Sequence, residues 1–410
     1  RRQRQMCIRD RANWSRWESN LPVTPVYDLQ VKGTDLVVGT HGRSFWILDD
    51  LTPLYQLNGE GGGGVQLFKP PRAWRVLPDL FEPWTSTDGK DYALGLGRAA
   101  TFIASKTETG QVHREILDAG ESPPRGVFVK YYLDTDWSEA AEDDATTSIS
   151  LAFLDGDGDV VREFFPKPHG WDRRGDDEKG YEPGPWISVH AGANKFMWDL
   201  RHEGSTRVLG NKVADEANQG PLVLPGQYRA ELRLKDAAGT EQVLTETFEV
   251  VNDPRAGTSH QDLQDQLDVL LRIRDKISAA HEGVVRLREV RGQVTHWRGK
   301  LESSGSHSGV LAKAGALLAA LDGIENELIV PGQHKDTFGL NQRSRLNEKL
   351  ASLISVVASA DAKPTKQSVE LIDLHSAQID DQLAKLDSLL EADVVEFNDL
   401  VRATELPAVQ

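Results

Sequence analysis

Residues 20–54 read NLPVTPVYDLQVKGTDLVVGTHGRSFWILDDLTPL. Three short apolar runs stand in this stretch, Val26 to Val31, Asp35 to Gly39 and Ser44 to Asp49, separated by Lys32-Gly33 and by Thr40-His41-Gly42-Arg43. Short runs of this kind punctuated by glycine read as antiparallel strands joined by tight turns. A three-stranded sheet on its own has two open edges and little to bury, so the segment calls for neighbouring structure. The loop Thr40-His41-Gly42-Arg43 with the run Ser44 to Asp50 is the most distinctive string in the chain. His41 and Arg43 are candidate ligand contacts reaching out of that loop; the alternative is that they hydrogen-bond neighbouring backbone within the sheet.

Downstream, Glu60 to Val65 carries four consecutive glycines and reads as a linker, and Phe68 to Trp84, rich in Pro and Trp, reads as extended chain across a junction. From about Ala99 to Val251 apolar residues alternate again: Val127, Val129 and Tyr131; Ile149, Leu151 and Phe153; Val160 to Phe165; Phe196, Trp198 and Leu200; Tyr228, Ala230, Leu232 and Leu234; Val243 to Val250. Several such strands spaced by turns indicate an Ig-like β-sandwich. Two polar excursions, 166–185 and 203–221, are too long and too charged for core and read as surface loops. Within the first, Trp171 and Tyr181 flank a charged run of the sort that binds sugars, and they are candidate ligand contacts.

After Asn252-Asp253-Pro254 the period changes. Leu263, Leu267, Leu270, Ile273, Ile277, Ala280, Val284, Leu287, Val290, Val294, Trp297 and Leu301 recur at gaps of three and four, which predicts one long amphipathic helix with Thr258 or Ser259 as N-cap. Further helices are expected over about 310–328, 342–359 and from Thr365 through Val401. Long helices with short connections predict an antiparallel α-helical bundle over 254–410. Its heptad-like seam offers a route to self-association.

The 410 residues carry 47 Lys plus Arg against 63 Asp plus Glu, a net charge of -16, which repels phosphate backbones; no nucleic acid partner is expected. No apolar run reaches the length of a transmembrane helix, so no membrane span is expected. One cysteine excludes a disulfide framework and a thiolate zinc site. Asp155-Gly156-Asp157-Gly158-Asp159 alternates carboxylates as calcium loops do, making Asp155, Asp157 and Asp159 weak metal candidates. Val160 and Pro166 then stand where an EF-hand needs Gly and Glu, and a hairpin turn is the simpler reading. The eleven histidines show no metal-ligand spacing, and neither a nucleophile elbow nor a P-loop is present. No catalytic residue, cofactor or metal is therefore assigned.

The string from Asn20 to Leu54 closely resembles the final blade of bacterial BNR-repeat, sortilin-type β-propeller proteins, a family often named glycosyl hydrolases. NKFMWDLRHEG from 194, LPGQYRAELRL from 224, DPR from 253, LLRIRDKISAAHE from 270 and RLNEKLASLISVVASADAKPT from 345 resemble the sandwich and helical tail that follow such propellers. The family's Asp box, aligned on Trp14, would place its Ser, Asp and Gly at Cys7, Arg9 and Arg11, and none matches. Residues 6–11, Met-Cys-Ile-Arg-Asp-Arg, look like translated sequencing adapter, so 1–11 are set aside as an artefact. The resemblance implies the C-terminal part of a longer gene, with a last propeller blade over 12–60, a junction over 61–94, a sandwich over 95–253 and a bundle over 254–410. It also implies a periplasmic or extracellular location. A propeller's ligand site is shared by several blades. The expectation is therefore a non-catalytic protein- or glycan-binding scaffold region; the alternative is the accessory region of a glycoside hydrolase whose active site lies in other blades.

Overall fold

The structure is a computed structural model and describes residues 6–7, 14–15, 21–56, 64–77, 89–95, 98–117, 125–141, 146–171, 184–208, 215–304, 307–331 and 343–404. It is a mixed β plus α fold with a helical C-terminal region. Two compact units emerge. A β unit takes Arg1–His169, Gly184–Leu200 and Pro225–Asp253; a helical unit takes Gly170–Pro183, Arg201–Leu224 and Pro254–Gln410.

In the β unit, β1 (Met6–Cys7) pairs with β2 (Trp14–Ser15). The three strands expected in the 20–54 stretch form an antiparallel meander, β3 (Val26–Lys32), β4 (Asp35–Thr40) and β5 (Phe45–Leu48), with β4 in the middle. Gly33 holds the first turn with φ of 63°, a backbone conformation that costs an L side chain. A short helix, α1 (Thr52–Gln56), follows.

The chain read as a junction is used as sheet. β6 (Gln66–Leu67) pairs with β11 (Val127–Leu133), and β7 (Ala73–Arg75) runs parallel to β16 (Glu241–Asn252) at a sheet edge. Three strands, β8 (Gly89–Gly95), β9 (Arg98–Lys106) and β10 (Val112–Ile116), make a separate antiparallel sheet. The sheet order β13-β12-β15-β16-β7 uses β12 (Ser148–Leu154), β13 (Val160–Phe164) and β15 (Gly226–Lys235). Opposite it stands β14-β11-β6, with β14 at Gly192–Trp198. The two are joined by aromatic side chains at alternate positions. Phe153 stacks on Trp198 with ring centroids 4.3 Å apart, and Phe164 meets Phe196 at 4.5 Å. Tyr228 and Phe248 close around Trp198 edge-on at 5.8 and 6.3 Å. Period-two alternation put these rings on one face of each strand, and burying them is the main stabilising term here.

The helical unit contains α2 (His260–Ser304), α3 (Ser308–Leu328), α4 (Leu346–Val357), α5 (Lys366–Glu391) and α6 (Asp393–Arg402). Ser259 caps α2: its Oγ accepts the Asp262 N–H at 3.1 Å and donates to the Asp262 carboxylate. Thr365 caps α5 by accepting from Ser368 N–H. Ten of the twelve seam positions of α2 are buried, and Val290 and Trp297 are partly so.

Ion pairs give the helix directions. Arg288 meets Glu325 and Arg291 meets Asp322, so α3 runs antiparallel to α2. Gln266 donates to the carbonyls of Val357 and Ala360, while His281 meets Asn347, so α4 is antiparallel too. Arg272–Asp373, Lys276–Asp380 and Arg286–Asp387 rise together, so α5 runs parallel to α2. The neighbours α2/α3 and α4/α5 are antiparallel as expected, whereas α3 and α4 point the same way. At 45 residues α2 outlasts either, and the 21 residues of α3 and 12 of α4 lie one after the other along it.

The described residues of the excursion 203–221 do not all lie at the surface. Val208 and Ala217 are buried in the apolar core of the helices, and Ser205 is buried as well. Gly204 and Gly220 allow its two arms to touch: a Cβ on Gly220 would lie 1.8 Å from the His202 carbonyl oxygen, and one on Gly204 2.2 Å from that of Asn218. Charge-rich sequence hid three small or apolar residues, Ser205, Val208 and Ala217, that pack inward.

Candidate functional site

The surface singled out by sequence, the β3–β5 meander, is built from paired rows. Leu29, Val38 and Trp46 stand opposite one another, as do Val31, Leu36 and Leu48, and these six share one face. The other face carries Val37, Gly39, Phe45 and Ile47 with Asp28 and Gln30. Val38 is buried beneath its own neighbours, yet Leu29 and Val31 are each 57% exposed, Phe45 79% and Ile47 61%. A sheet of an ordinary two-layer domain has one wet, polar face. This one presents large apolar side chains on both.

His41 stands at the end of the meander. Its backbone N–H donates to the Pro25 carbonyl, its carbonyl accepts from Thr24 Oγ1, and its imidazole lies against the Tyr27 ring with centroids 4.9 Å apart, tilted by 37°. Tyr27 is 73% exposed, so the pair is an accessible aromatic platform. Arg43 is exposed too, and its carbonyl accepts from Trp46 Nε1 at 2.8 Å. The backbone of the loop serves the sheet, while the side chains of His41 and Arg43 are exposed.

Behind the meander, the LDDLTPL end of the string anchors it within the β unit. Asp50 Oδ2 pairs with Lys130 Nζ at 2.8 Å, Asp50 N–H donates to Asp35, and Thr52 donates to Asp50 through N–H and hydroxyl. Burial of the Asp50 carboxyl opposes ionisation, but the bonds from Lys130 and Thr52 outweigh it and hold the group below the ordinary carboxylate value. Lys130 stands directly opposite Lys195 in the β11–β14 pairing, and Lys195 Nζ sits 3.7 Å from the centre of the Phe128 ring. Burial, and then the neighbouring Lys130 charge, lower the Lys195 amine below the usual lysine value, with Asp49 and Asp50 acting the other way. Sequence reading missed this pair; its only signal was the outward phase of Lys130 and Lys195 in two alternating strands.

The Asp155 carboxylate is occupied by backbone. Its Oδ1 accepts the N–H groups of Asp157, Gly158 and Asp159, each at 3.0 Å. Asp155 N–H donates to the Asp159 carbonyl, and Gly158 has φ of 96°. Asp236-Ala237-Ala238-Gly239-Thr240 does the same: Asp236 Oδ1 accepts from Ala238 and Thr240, Asp236 N–H donates to Thr240, and Gly239 has φ of 83°. Thr107 to Gln111 repeats the backbone pattern with a hydroxyl in place of the carboxylate. The shared requirement is an acceptor at the first position and glycine at the fourth, so Asp157 and Asp159 are incidental to the turn. Among the described residues, no group of three or more His, Cys, Asp or Glu is placed to hold a metal ion.

Trp171 is 8% exposed, which leaves little ring face for a sugar to stack on. Tyr181 lies outside the described residues. Among the described residues no helix is long and apolar enough to cross a membrane.

No family model and no curated protein matches the chain. Among solved structures, CopC from Methylosinus trichosporium OB3b is 15% identical over 31% of this chain and 78% of its own, with a TM-score of 0.15. A second structure, titled pT26-6p, is 10% identical over 68% of this chain and 46% of its own, with a TM-score of 0.13. At these TM-scores neither neighbour bears on fold or function.

Proposed function

We propose that the chain is a non-catalytic binding and scaffold region of a secreted propeller protein of the BNR-repeat, sortilin type. In this reading β3–β5 belong to a last blade, the two aromatic-packed sheets form an Ig-like sandwich, and the helices form a bundle that spaces and docks. The observation that supports it is the meander with apolar side chains on both faces. A propeller blade is covered on each side by another blade, so its strands carry apolar side chains on both faces. The ligand is a protein or a glycan, and the location periplasmic or extracellular.

The Tyr27–His41 platform favours a second reading, in which the chain is the accessory glycan-contacting region of a glycoside hydrolase. One experiment addresses both: the full chain and its Tyr27→Ala variant are applied to a glycan array and assayed on aryl glycosides. The expected result is no turnover, with any glycan retention lost in the variant. Glycoside hydrolysis by the chain itself overturns the non-catalytic reading.

A further inference from the structure

We propose that His281 is the pin of an acid-sensitive latch that fastens the segment Glu203–Val208 and the start of α4 to α2, and that acid releases both. The proposal rests on how the two ring nitrogens are used. His281 is 4% exposed. Its Nδ1 lies 2.6 Å from the Thr206 carbonyl, which can only accept, so Nδ1 carries the proton. Its Nε2 lies 3.1 Å from Asn347 Nδ2, which can only donate, so Nε2 is bare. Asn347 is fully buried, and its Oδ1 already accepts the Glu348 N–H at 2.8 Å. One neutral tautomer satisfies every group.

Protonation breaks this arrangement. A proton on Nε2 would face the Asn347 amide donor to donor. Turning that amide would supply an acceptor, but only by withdrawing Oδ1 from Glu348 at the first turn of α4.

Among the described side chains, the surrounding charges do not rescue the cation. On α2 itself, Arg288 opposes a second positive charge, and it is held in place by Glu325 of α3 at 2.7 Å. Glu282 accepts from the Thr206 hydroxyl at 3.1 Å, not from the ring. On α4, Arg345 is turned to Glu327 at 3.8 Å, and Glu348 contributes its backbone N–H. The short 3-10 helix Asp215–Asn218 packs against α2 and α4. The segment is tied elsewhere as well: Ser205 N–H donates to the Ala217 carbonyl at 2.8 Å, Thr206 N–H donates to Ser278 Oγ, and Arg274 donates to the Glu203 carbonyl. Burial lowers the His281 ring below its ordinary value, which agrees with a site built for the neutral form.

The test is hydrogen exchange by mass spectrometry on the full chain at pH 7.5 and pH 5.0, corrected for intrinsic rates. The latch predicts that amides of 203–208 and 346–350 exchange at least about tenfold faster at the lower pH, while those of Leu287–Leu301 do not change. Asn347→Asp supplies an acceptor for the protonated ring and is expected to abolish that difference. Should this variant not fold, ring nitrogen shifts of the wild type decide: a single Nδ1–H tautomer at pH 7.5, protonating in step with the exchange change, supports the latch. Uniform or absent acceleration, an unchanged acid effect in a folded Asn347→Asp variant, or a ring titrating independently of exchange overturns it.

Discussion

Asp155 shows how a functional-looking residue is explained by what its atoms touch. Its carboxylate accepts three backbone N–H groups of the turn, one of which, that of Gly158, also reaches the Asp155 carbonyl. Asp155→Ala should therefore destabilise the β unit by about 1–2 kcal/mol. Calcium or a chelator should leave the wild-type melting temperature unchanged; a calcium-dependent rise would restore the metal reading. Gly126 is a stronger case. Its φ is 148°, and a Cβ there would lie 2.3 Å from the Trp198 carbonyl oxygen, so Gly126→Ala faces strain and a backbone clash together. Loss of about 3 kcal/mol or more is expected in denaturant unfolding, against a smaller loss for Gly192→Ala, where φ is 103° with nothing nearby. His281 adds a pH dependence with a definite sign. Because its folded value lies below the ordinary 6.5, the unfolded chain binds the proton more readily as pH falls through that value. Its stabilising contribution is complete above about pH 6.5 and declines below it.

At the scale of elements, the seam of α2 was legible because twelve apolar residues at helical gaps leave no other period open. The strands β11 and β15 were legible for the matching reason, with alternation over seven or more residues. The excursion 203–221 was not legible: Val208 and Ala217 are two residues in a charged stretch, and only the space between helices gives them meaning. Nor did the sequence show that β6 and β7, two and three residues long, would be recruited from an apparent linker, since strands so short have no period to read. Within the helical unit Glu325 is 1% exposed and is clasped by Arg288 and Arg291. Its removal takes away the buried anion the two guanidinium groups share, while Asp322 stays beside Arg291. Glu325→Ala should cost about 2–3 kcal/mol, discounted from a fully buried pair because both arginines keep some water. Lys276→Ala, which breaks an exposed pair with Asp380, should cost under about 1 kcal/mol. Equal losses in thermal unfolding would contradict the packing described for α2 and α3.

For the molecule as a whole, the helical unit is not a simple C-terminal block, because chain from 201–224 fills part of its core. A fragment of 254–410 lacks Val208, Ala217 and the Thr206 acceptor of His281, and should melt lower than the same helices in the full chain. Light scattering on that fragment addresses self-association: the cavity left by the two side chains is a gap of this kind, and dimerisation seen in the fragment but not in the full chain would trace to it. The meander poses the opposite problem, since its apolar rows are present and their covering is not among the described residues. The sequence showed three strands without neighbours to cover them, and the pairing register places apolar side chains on both faces. The most direct measurement is hydrogen exchange on the chain alone, comparing Val26–Leu48 with Val127–Leu133 and Tyr228–Leu234. A blade waiting for neighbours on both faces predicts exchange in the meander about a hundredfold faster than in the aromatic-packed sheets. Equal protection in both would contradict that account.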